Sequence, residues 1–404
     1  MSKYEKKTLM IIGAGIFQSV AIQQAKKLGL TVLATDIDRQ APGFEYADFT
    51  GIVSTQDMQA TTEFAVNFNK TQPIHGVMTV GTDVSQTVAG VAHTLGLPGV
   101  SPETALCATN KARMRERFWK EGVPAPKWRE ITTLQQAYDA ISELGLPVVL
   151  KPIDNMGARG VKKIESKDDL PHALNKALLY SKLKKAVIEE FMDGPELSVD
   201  TLVCNGKVHL LTIADRHITG SPFFIETGHT VPSSLPQETL DDVFAVMCKA
   251  VKAIGIENGA SKADIKVTPD GPKIGEITAR LSGGYHSQYT DPLATGMNSI
   301  KGAIDLALGY ELDLNDVTPA RHYTACERAI IPPPGMVTEI KNVEKLNTIQ
   351  GFNHLFLHVK IGEKIGEVTS NIGKAANIIC SAPTRFEAIE SVNQALKTLE
   401  IITE

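Results

Sequence analysis

The sequence predicts a mixed α/β and α+β protein in three parts. Residues 1–100 alternate apolar strands with helical runs, the pattern of an open parallel sheet. The middle of the chain carries hairpins around Gly/Pro turns, and residues 311–404 return to mixed strand and helix material. A chain of 404 residues has room for two or three domains, each with its own core.

Composition narrows the partners. With 43% hydrophobic and 22% charged residues, a net charge of -5 and no long Lys/Arg block, the chain offers no surface for nucleic acid or membrane, and small soluble ligands are expected. Cys107, Cys204, Cys248, Cys326 and Cys380 are far apart and form no CxxC, as free thiols in a reducing compartment would be. The short apolar run before Gly13 reads as a first strand rather than a signal peptide, and no stretch approaches bilayer length. The expected location is the cytoplasm.

"TLMIIGAGIFQSVAIQQAKKLGLTVLATDID" reads strand, glycine turn, helix and strand, with Gly29 stopping the helix. Gly13, Gly15 and Asp36 resemble a dinucleotide fingerprint, although Gln18 stands where a third glycine belongs. They leave open an NAD-dependent oxidoreductase beside the simpler reading of a tight turn. "GVMTV" (residues 76–80) is a further strand, and one helix is expected from about Pro102 to near Gly122, before Pro124 and Pro126. "LPVVLKPIDNMGARGVKKIES" reads as a strand ending at Lys151-Pro152, a loop with Gly157 and Gly160, and a second strand from Val161. Its backbone N–H groups could fold over phosphates, or it is a plain mobile hairpin. Residues 186–190 form another strand, entering "EEFMDGPELSVD", and "SPFFIETGHTVPSSLP" reads as a loop.

"KADIKVTPDGPKIGEITARLSGG" (residues 262–284) is a hairpin around the Pro269-Asp-Gly271 turn. Ala263, Ile265 and Val267 share one face with Ile277 and Ala279. The other face holds Lys262, Asp264, Lys266, Glu276, Thr278 and Arg280, with Asp264 opposite or nearly opposite Glu276. At about 5 Å and an effective dielectric of about 20 their repulsion is roughly 3 kcal/mol, so a cationic group is expected between them. That group is a hard divalent cation such as Mg²⁺, or Lys262 and Lys266 of an exposed hairpin. "GGYHSQYTDPLATG" then reads as a loop, a helix from about Asn298 ends at Gly309, and "HLFLHVKIGEKI" supplies strand. "TRFEAIESVNQALKTL" is an amphipathic helix with Phe386, Ile389, Val392 and Leu396 on its apolar stripe.

Taken in order, Lys111, "LPVVLKP" with "GARGV", "IEEFMDGPELSVD", "KADIKV" and "GEITARLSGG" resemble the ATP-grasp superfamily over about residues 107–309. The resemblance implies an N-terminal α/β substrate-binding domain (1–105), an ATP-grasp domain (106–310) and a small C-terminal α/β domain (311–404). By it, Lys111 and Lys151 contact nucleotide phosphates, and the loop with Gly157, Arg159 and Gly160 is a phosphate lid from which Arg159 reaches the transferred group. Glu189, Glu190, Phe191 and Met192 form the adenine hinge, and Glu196 binds ribose. Asp264 and Glu276 hold metal, with Thr278 standing where asparagine is common and offering a poorer ligand. Arg280, with Gly283 and Gly284, holds the reacting carboxylate. Lys262 supports the phosphoryl group or bridges to Glu276.

"ETGHTVP" (residues 226–232) is similar to the E-x-G-H-x-x-P segment of ATP-grasp carboxylate–amine ligases, including bacterial L-amino acid ligases. By that likeness Glu226 and His229 line the acceptor side and are candidates to take the amine's proton. The implied enzyme is an ATP-dependent ligase that joins a small carboxylate to an amine through an acyl phosphate. It uses ATP and two Mg²⁺ ions, with Mn²⁺ as a substitute, and assembles as a homodimer. Residues 81–83 help bind one substrate. A purine-pathway or biotin carboxylase-like enzyme shares this plan. An ATP-binding regulatory protein without chemistry is a further alternative, against which Lys151, Glu276 and Arg280 count.

Overall fold

A computed structural model describes residues 2–219, 223–371 and 373–404. The amino-terminal sheet joins β1 (Thr8–Ile12), β2 (Thr31–Asp36), β3 (Phe49–Ile52) and β4 (Gly76–Met78), all parallel, in the order β3-β2-β1-β4. β1 is buried along its length: Leu9 and Ile11 pack toward the helix Ile16–Lys27, while Met10 and Ile12 face Ala65 and Val91. Burial on both faces makes its sequence a continuous apolar run. The turn after β1 is filled from within. The Gln18 side chain lies 3.1 Å from where a Cβ on Gly13 would stand, and the Asp36 carboxylate accepts from the Ala14 N–H at 2.9 Å. Groups that would bind a dinucleotide are therefore engaged with one another, which removes the support for the oxidoreductase reading.

An antiparallel sheet follows, built from β5 (Trp128–Ile131), β6 (Val148–Pro152), β7 (Lys162–Ile164) and β8 (Ala186–Glu190) in the order β5-β8-β6-β7. The next strands are β9 (Glu196–Cys204), β10 (Lys207–Ile218), β11 (Glu226–Val231), β12 (Gly259–Thr268) and β13 (Gly271–Thr278). After them come β14 (Thr324–Ile330), β15 (Gly335–Lys341), β16 (Phe352–Leu357), β17 (Lys364–Ile365), β18 (Ala376–Ala382) and β19 (Glu400–Thr403). Eight of these strands form one sheet, β13-β12-β9-β10-β11-β14-β18-β16, so strands from both sides of residue 310 share it. One face of β9, β12 and β13 is dry, with Leu197, Val199, Ala263, Ile265 and Ile277 packed on Val243, Met247 and Ala250 of the helix Gln237–Ile254. The opposite face forms the floor of a cleft.

Four local expectations are corrected. The helix expected over 102–122 is two helices, Pro102–Thr109 and Lys111–Lys120, because Asn110 is extended and its side chain caps the second by accepting from the Ala112 and Arg113 N–H groups. "GGYHSQYTDPLATG" is partly helical, with a π-turn over His286–Thr290 and a helix over Asp291–Thr295. Residues 226–231 are a central strand rather than a loop, paired with β10 and β14; Ser221 and Pro222, earlier in that stretch, lie outside the described residues. In the helix Arg385–Thr398 the face against the sheet carries Ala388, Val392 and Ala395, while Phe386 is 75% exposed. Small side chains let that helix approach β14 and β18 closely.

All five cysteines are free, and Cys107, Cys326 and Cys380 are buried. Among the described residues, no helix is long and apolar enough to cross a membrane.

Candidate active site

The hairpin register brings Asp264 directly opposite Glu276, with a bulge just beyond at Ile265. Both face a cleft of about 900 Å³. Each carboxylate meets protein cations: Glu276 receives Lys111 Nζ at 2.9 Å, and Asp264 is paired by Lys262 and by Arg216 Nη1 at 2.7 Å. Burial pushes the Asp264 carboxyl upward, but Arg216 and Lys262 outweigh it and hold the group below the usual carboxylate range. Lys262 stands opposite Thr278, two residues from Glu276, and bonds along its own strand to Asp264 instead of bridging to Glu276.

A second row crosses five strands. Lys266, Glu196, Arg216, His229 and Glu327 are successive direct partners on β12, β9, β10, β11 and β14. Directly opposed residues share a face, so this row lies on one side of the sheet. Arg216 binds three carboxylates: Glu196 at 2.5 Å, Glu226 at 2.7 Å and Asp264. Lys266 lies 3.6 Å from Glu196. Nothing in "LLTIADRHI" marks Arg216 as central to a site, because its three partners come from separate strands.

The run 189–192 leaves the end of β8. Glu189 is buried, and its carboxylate is held by Arg115 Nε and Lys151 Nζ, both at 2.8 Å. Burial drives this carboxyl up, and Arg115 and Lys151 more than reverse that. The Lys151 ammonium thus reaches the cleft from β6 while tied to β8. Glu190 pairs with Lys273 at 3.2 Å, and Phe191 lies under Lys163 and Lys266, 4.4 and 5.4 Å from its ring centroid. The N–H groups of Glu190 and Phe191 donate to the Lys127 and Pro147 carbonyls, whereas the Met192 N–H meets no acceptor among the described residues. A single backbone donor beside Phe191 suits a planar base.

The loop after β6 closes over Lys111, whose Nζ donates to the Asn155 carbonyl at 2.9 Å. Gly157 and Arg159 border the cleft, and Asn371 spans it by donating to the Gly157 carbonyl and accepting from the Glu226 N–H at 2.8 Å. Gly160 is different: its φ is +74°, and an added Cβ would press on Pro152 and Tyr180, so it sets the backbone rather than the lining.

Arg280 is held by Asp83, which also accepts from the Thr278 hydroxyl at 3.1 Å. Residues 81–83 therefore orient Arg280, and the Thr278 hydroxyl is turned to Asp83. Burial raises the Asp83 carboxyl and Arg280 lowers it further, leaving it ionised. Gly283 packs on Gly81, where a Cβ would stand 2.8 Å from the Gly81 carbonyl, and Gly284 has φ +61° beside Glu226. A parallel bridge from Val80 to Leu281 ties the two regions together.

His229 does not line the cleft as the sequence suggested. It is fully buried behind His286, with ring centroids 3.5 Å apart and planes inclined by 16°, and its Nε2 bonds the Thr290 hydroxyl at 2.7 Å. Burial lowers His229 to about 3; burial, together with His229, lowers His286 to about 4, so both rings are neutral near pH 7. His286 reaches the cleft and approaches Glu226 at 3.9 Å. One potential ligand atom from each of Glu226, His229 and His286 lies within 4.8 Å of the others, but stacked imidazoles direct their lone pairs along parallel planes and do not converge on one ion. Although burial pushes Glu226 up, Arg216 holds it well below the usual range, which makes it a weak base.

The cleft sets Asp264 and Glu276 face to face beside lysines and an arginine oriented by Asp83. The chain carries an ATP-grasp domain, matched over residues 144–288, and an L-amino acid ligase C-terminal domain 2, matched over residues 328–404, the domains of an ATP-dependent ligase. Over 98% of its length it superposes on an L-amino acid ligase of Bacillus licheniformis with a TM-score of 0.86 and 25% identity, covering 99% of that chain. It is 25% identical over 353 residues to an uncharacterised protein of Sinorhizobium fredii, covering 86% of this chain and 72% of that one. It is 28% identical over 219 residues to the alanine–anticapsin ligase of Bacillus subtilis, covering 48% of this chain and 46% of that protein. The chain thus spans less than half of the latter. ATP and Mg²⁺ are the superfamily's general requirements, and the facing pair Asp264 and Glu276 fits a hard cation with phosphate oxygens.

Proposed function

We propose that this protein joins a small carboxylate, such as that of an amino acid, to the amine of a second amino acid. The carboxylate attacks the γ-phosphate of ATP, giving an acyl phosphate and ADP; the amine then displaces phosphate to form an amide. The observation that carries the reading is the direct opposition of Asp264 and Glu276 in one cleft with the Asp83-oriented Arg280.

The roles follow from position. Met192 N–H and Phe191 receive the adenine, and Glu196 the ribose hydroxyls. Lys111 and Lys151, now engaged by Glu276 and Glu189, swing to phosphate oxygens as flexible point charges. Arg159 covers the phosphate from the lid. Asp264 and Glu276 would hold two Mg²⁺ ions, for which Mn²⁺ would substitute, while the Thr278 hydroxyl stays turned to Asp83; the metal would supply neutralisation of phosphate charge. Arg280 and the backbone at Gly283 and Gly284 hold the reacting carboxylate in line, so catalysis is positioning and electrostatic clamping with no protein nucleophile. Lys262 balances the phosphoryl charge, and Glu226 borders the acceptor side. We further assign a substrate-binding domain to residues 1–105, an ATP-grasp domain to 106–310 and a carboxyl-terminal domain to 311–404, in a cytoplasmic homodimer.

The test is ADP release from MgATP with pooled small carboxylates and amino acids, followed by mass spectrometry, with Glu276→Gln as control. Substrate-dependent ADP and a new condensed mass, both missing from the variant, are expected. Equal ADP release by both proteins would remove Glu276, and with it this reading of the hairpin.

A further inference from the structure

We propose that Glu327 is the acceptor station of the cleft, where its carboxylate binds the ammonium of the incoming nucleophile and takes its proton. The proposal rests on the ligase reading above and assigns a step which that reading leaves without a residue.

The first observation is a difference among carboxylates. Glu189, which is buried, and Asp83, Glu196, Glu226 and Asp264, which are partly buried, all border the cleft, and each has a Lys or Arg within salt-bridge distance. Glu327 is only 2% exposed, borders the cleft, and has no such cation among the described residues. An anion buried without a cation is costly, so it either binds a proton or awaits a positive ligand.

The second observation is how Glu327 is held. One carboxylate oxygen accepts from the Asn377 amide. Across the ladder His229 Nδ1 lies 3.3 Å from the other oxygen but makes no hydrogen bond, so that oxygen has capacity for a ligand. Asn377 is fixed in turn, its carbonyl oxygen 2.8 Å from His358 Nε2, which is 3.0 Å from the Tyr285 hydroxyl. Tyr285, His358 and Asn377 also border the cleft, giving an ammonium a polar seat. Glu327 closes the row that begins at Lys266 and Glu196. At the usual spacing of strands it lies about 14 Å across the sheet from Glu196, far from the ribose position.

The proton balance follows. Glu327 takes one proton from the ammonium, and the freed lone pair forms the C–N bond at the acyl carbon. The C–O bond to phosphate breaks with its electron pair on phosphate, and the remaining excess N–H proton leaves with phosphate. Burial raises Glu327 to about 7, which suits a group that must both hold and release a proton. The charged and titratable groups that act on it are Glu226 and His229 on β11, Lys374 before β18 and Tyr285, together with His217 on β10 and the adjacent Arg328, both on the opposite face of the sheet. Neither neighbouring alternative fits as well, since Glu226 is committed to Arg216 and His286 is neutral with lowered basicity.

Hydroxylamine separates this role from the earlier step, because it is unprotonated at neutral pH and traps an acyl phosphate as a hydroxamate without a base. With MgATP and the common L-amino acids, wild-type protein is expected to form both hydroxamate and amide. Glu327→Gln is expected to keep hydroxamate formation near the wild-type rate and to lose amide formation by about a hundredfold or more. Its amide rate should then keep climbing with pH, following the free amine, where the wild type levels off above neutrality. Glu327→Asp, which keeps the charge, should restore part of the amide rate and serves if the Gln variant does not fold. Equal loss of both products, or an unchanged amide rate, overturns the proposal. A wild-type protein that forms neither product overturns the ligase reading instead, before any variant is compared.

Discussion

The imidazole of His229 lies flat against that of His286, 3.5 Å between centroids, with both rings shut away from bulk water. Protonating either would bury a charge against its neighbour. Burial, reinforced at His286 by the neighbouring His229, holds them at about 3 and about 4, against roughly 6.5 in an unfolded chain. The unfolded state therefore binds protons that the folded state refuses. The stability from a neutral His286 is fully present above about pH 6.5 and is lost as pH falls toward 4, by up to about 1.4 kcal/mol per pH unit. His286→Asn should be less stable than wild type at pH 8, and the gap should narrow on acidification. Thermal melts of both proteins from pH 8 to pH 5 check this; a gap that stays constant would show that His286 does not titrate differently on unfolding.

Glu189 and Glu276 both pair with lysines in the cleft, yet their loss should differ. Glu189 is 1% exposed and is the partner of buried Arg115, so Glu189→Gln strands a guanidinium in the interior and should cost about 3–5 kcal/mol. Glu276 is 37% exposed, and its partner Lys111, although buried, keeps the Asn155 carbonyl as an acceptor, so Glu276→Gln should cost less than Glu189→Gln while removing Mg²⁺-dependent turnover. Urea titrations measure both. Similar costs would mean that the Arg115–Glu189 pair is dispensable to the fold.

How much of this was legible depended on how local the signal was. The opposition of Asp264 and Glu276 could be read because a two-residue period and one turn fix a hairpin's register. The break at Asn110 was hidden, since one capping side chain overrides an otherwise helical run. His229 was misplaced because glycine and proline around it suggested a loop, whereas Gly228 is there to let two strands meet. Arg216 and Glu327 carry no motif. A lone glutamate in the apolar strand "TACERAI" was the available sign for Glu327, and its importance comes only from partners far away in sequence.

Arg216 now neutralises three carboxylates that the proposed chemistry assigns to ribose, metal and acceptor. Its guanidinium is strongly favoured in the charged form: burial opposes the charge, but Asp264, Glu226 and Glu196 outweigh it. Arg216→Met should therefore lower stability by about 3–5 kcal/mol and leave an excess of negative charge beside Asp264. Mg²⁺ alone should then raise the melting temperature of the variant more than that of the wild type, because a cation that binds the folded state supplies part of what was lost. An equal Mg²⁺ shift in the two proteins would argue that the ion does not bind near Asp264.

Gly228 of β11 pairs with Arg328 of β14, next to Glu327. A Cβ there would stand 2.1 Å from the Glu327 carbonyl oxygen, at a φ of +154°. Both strands are central in the eight-stranded sheet, so neither can yield without moving its neighbours. Gly228→Ala should cost about 1–3 kcal/mol through overpacking. Gly366→Ala is the matched control, since nothing lies within 4 Å of its added methyl, and it should stay within about 0.5 kcal/mol of wild type. Because the displaced atom belongs to Glu327, the Gly228 variant should also lose amide formation more than hydroxamate formation. Equal stability of the two alanine variants in urea would mean that the sheet absorbs the extra carbon by a shift that the packing does not suggest.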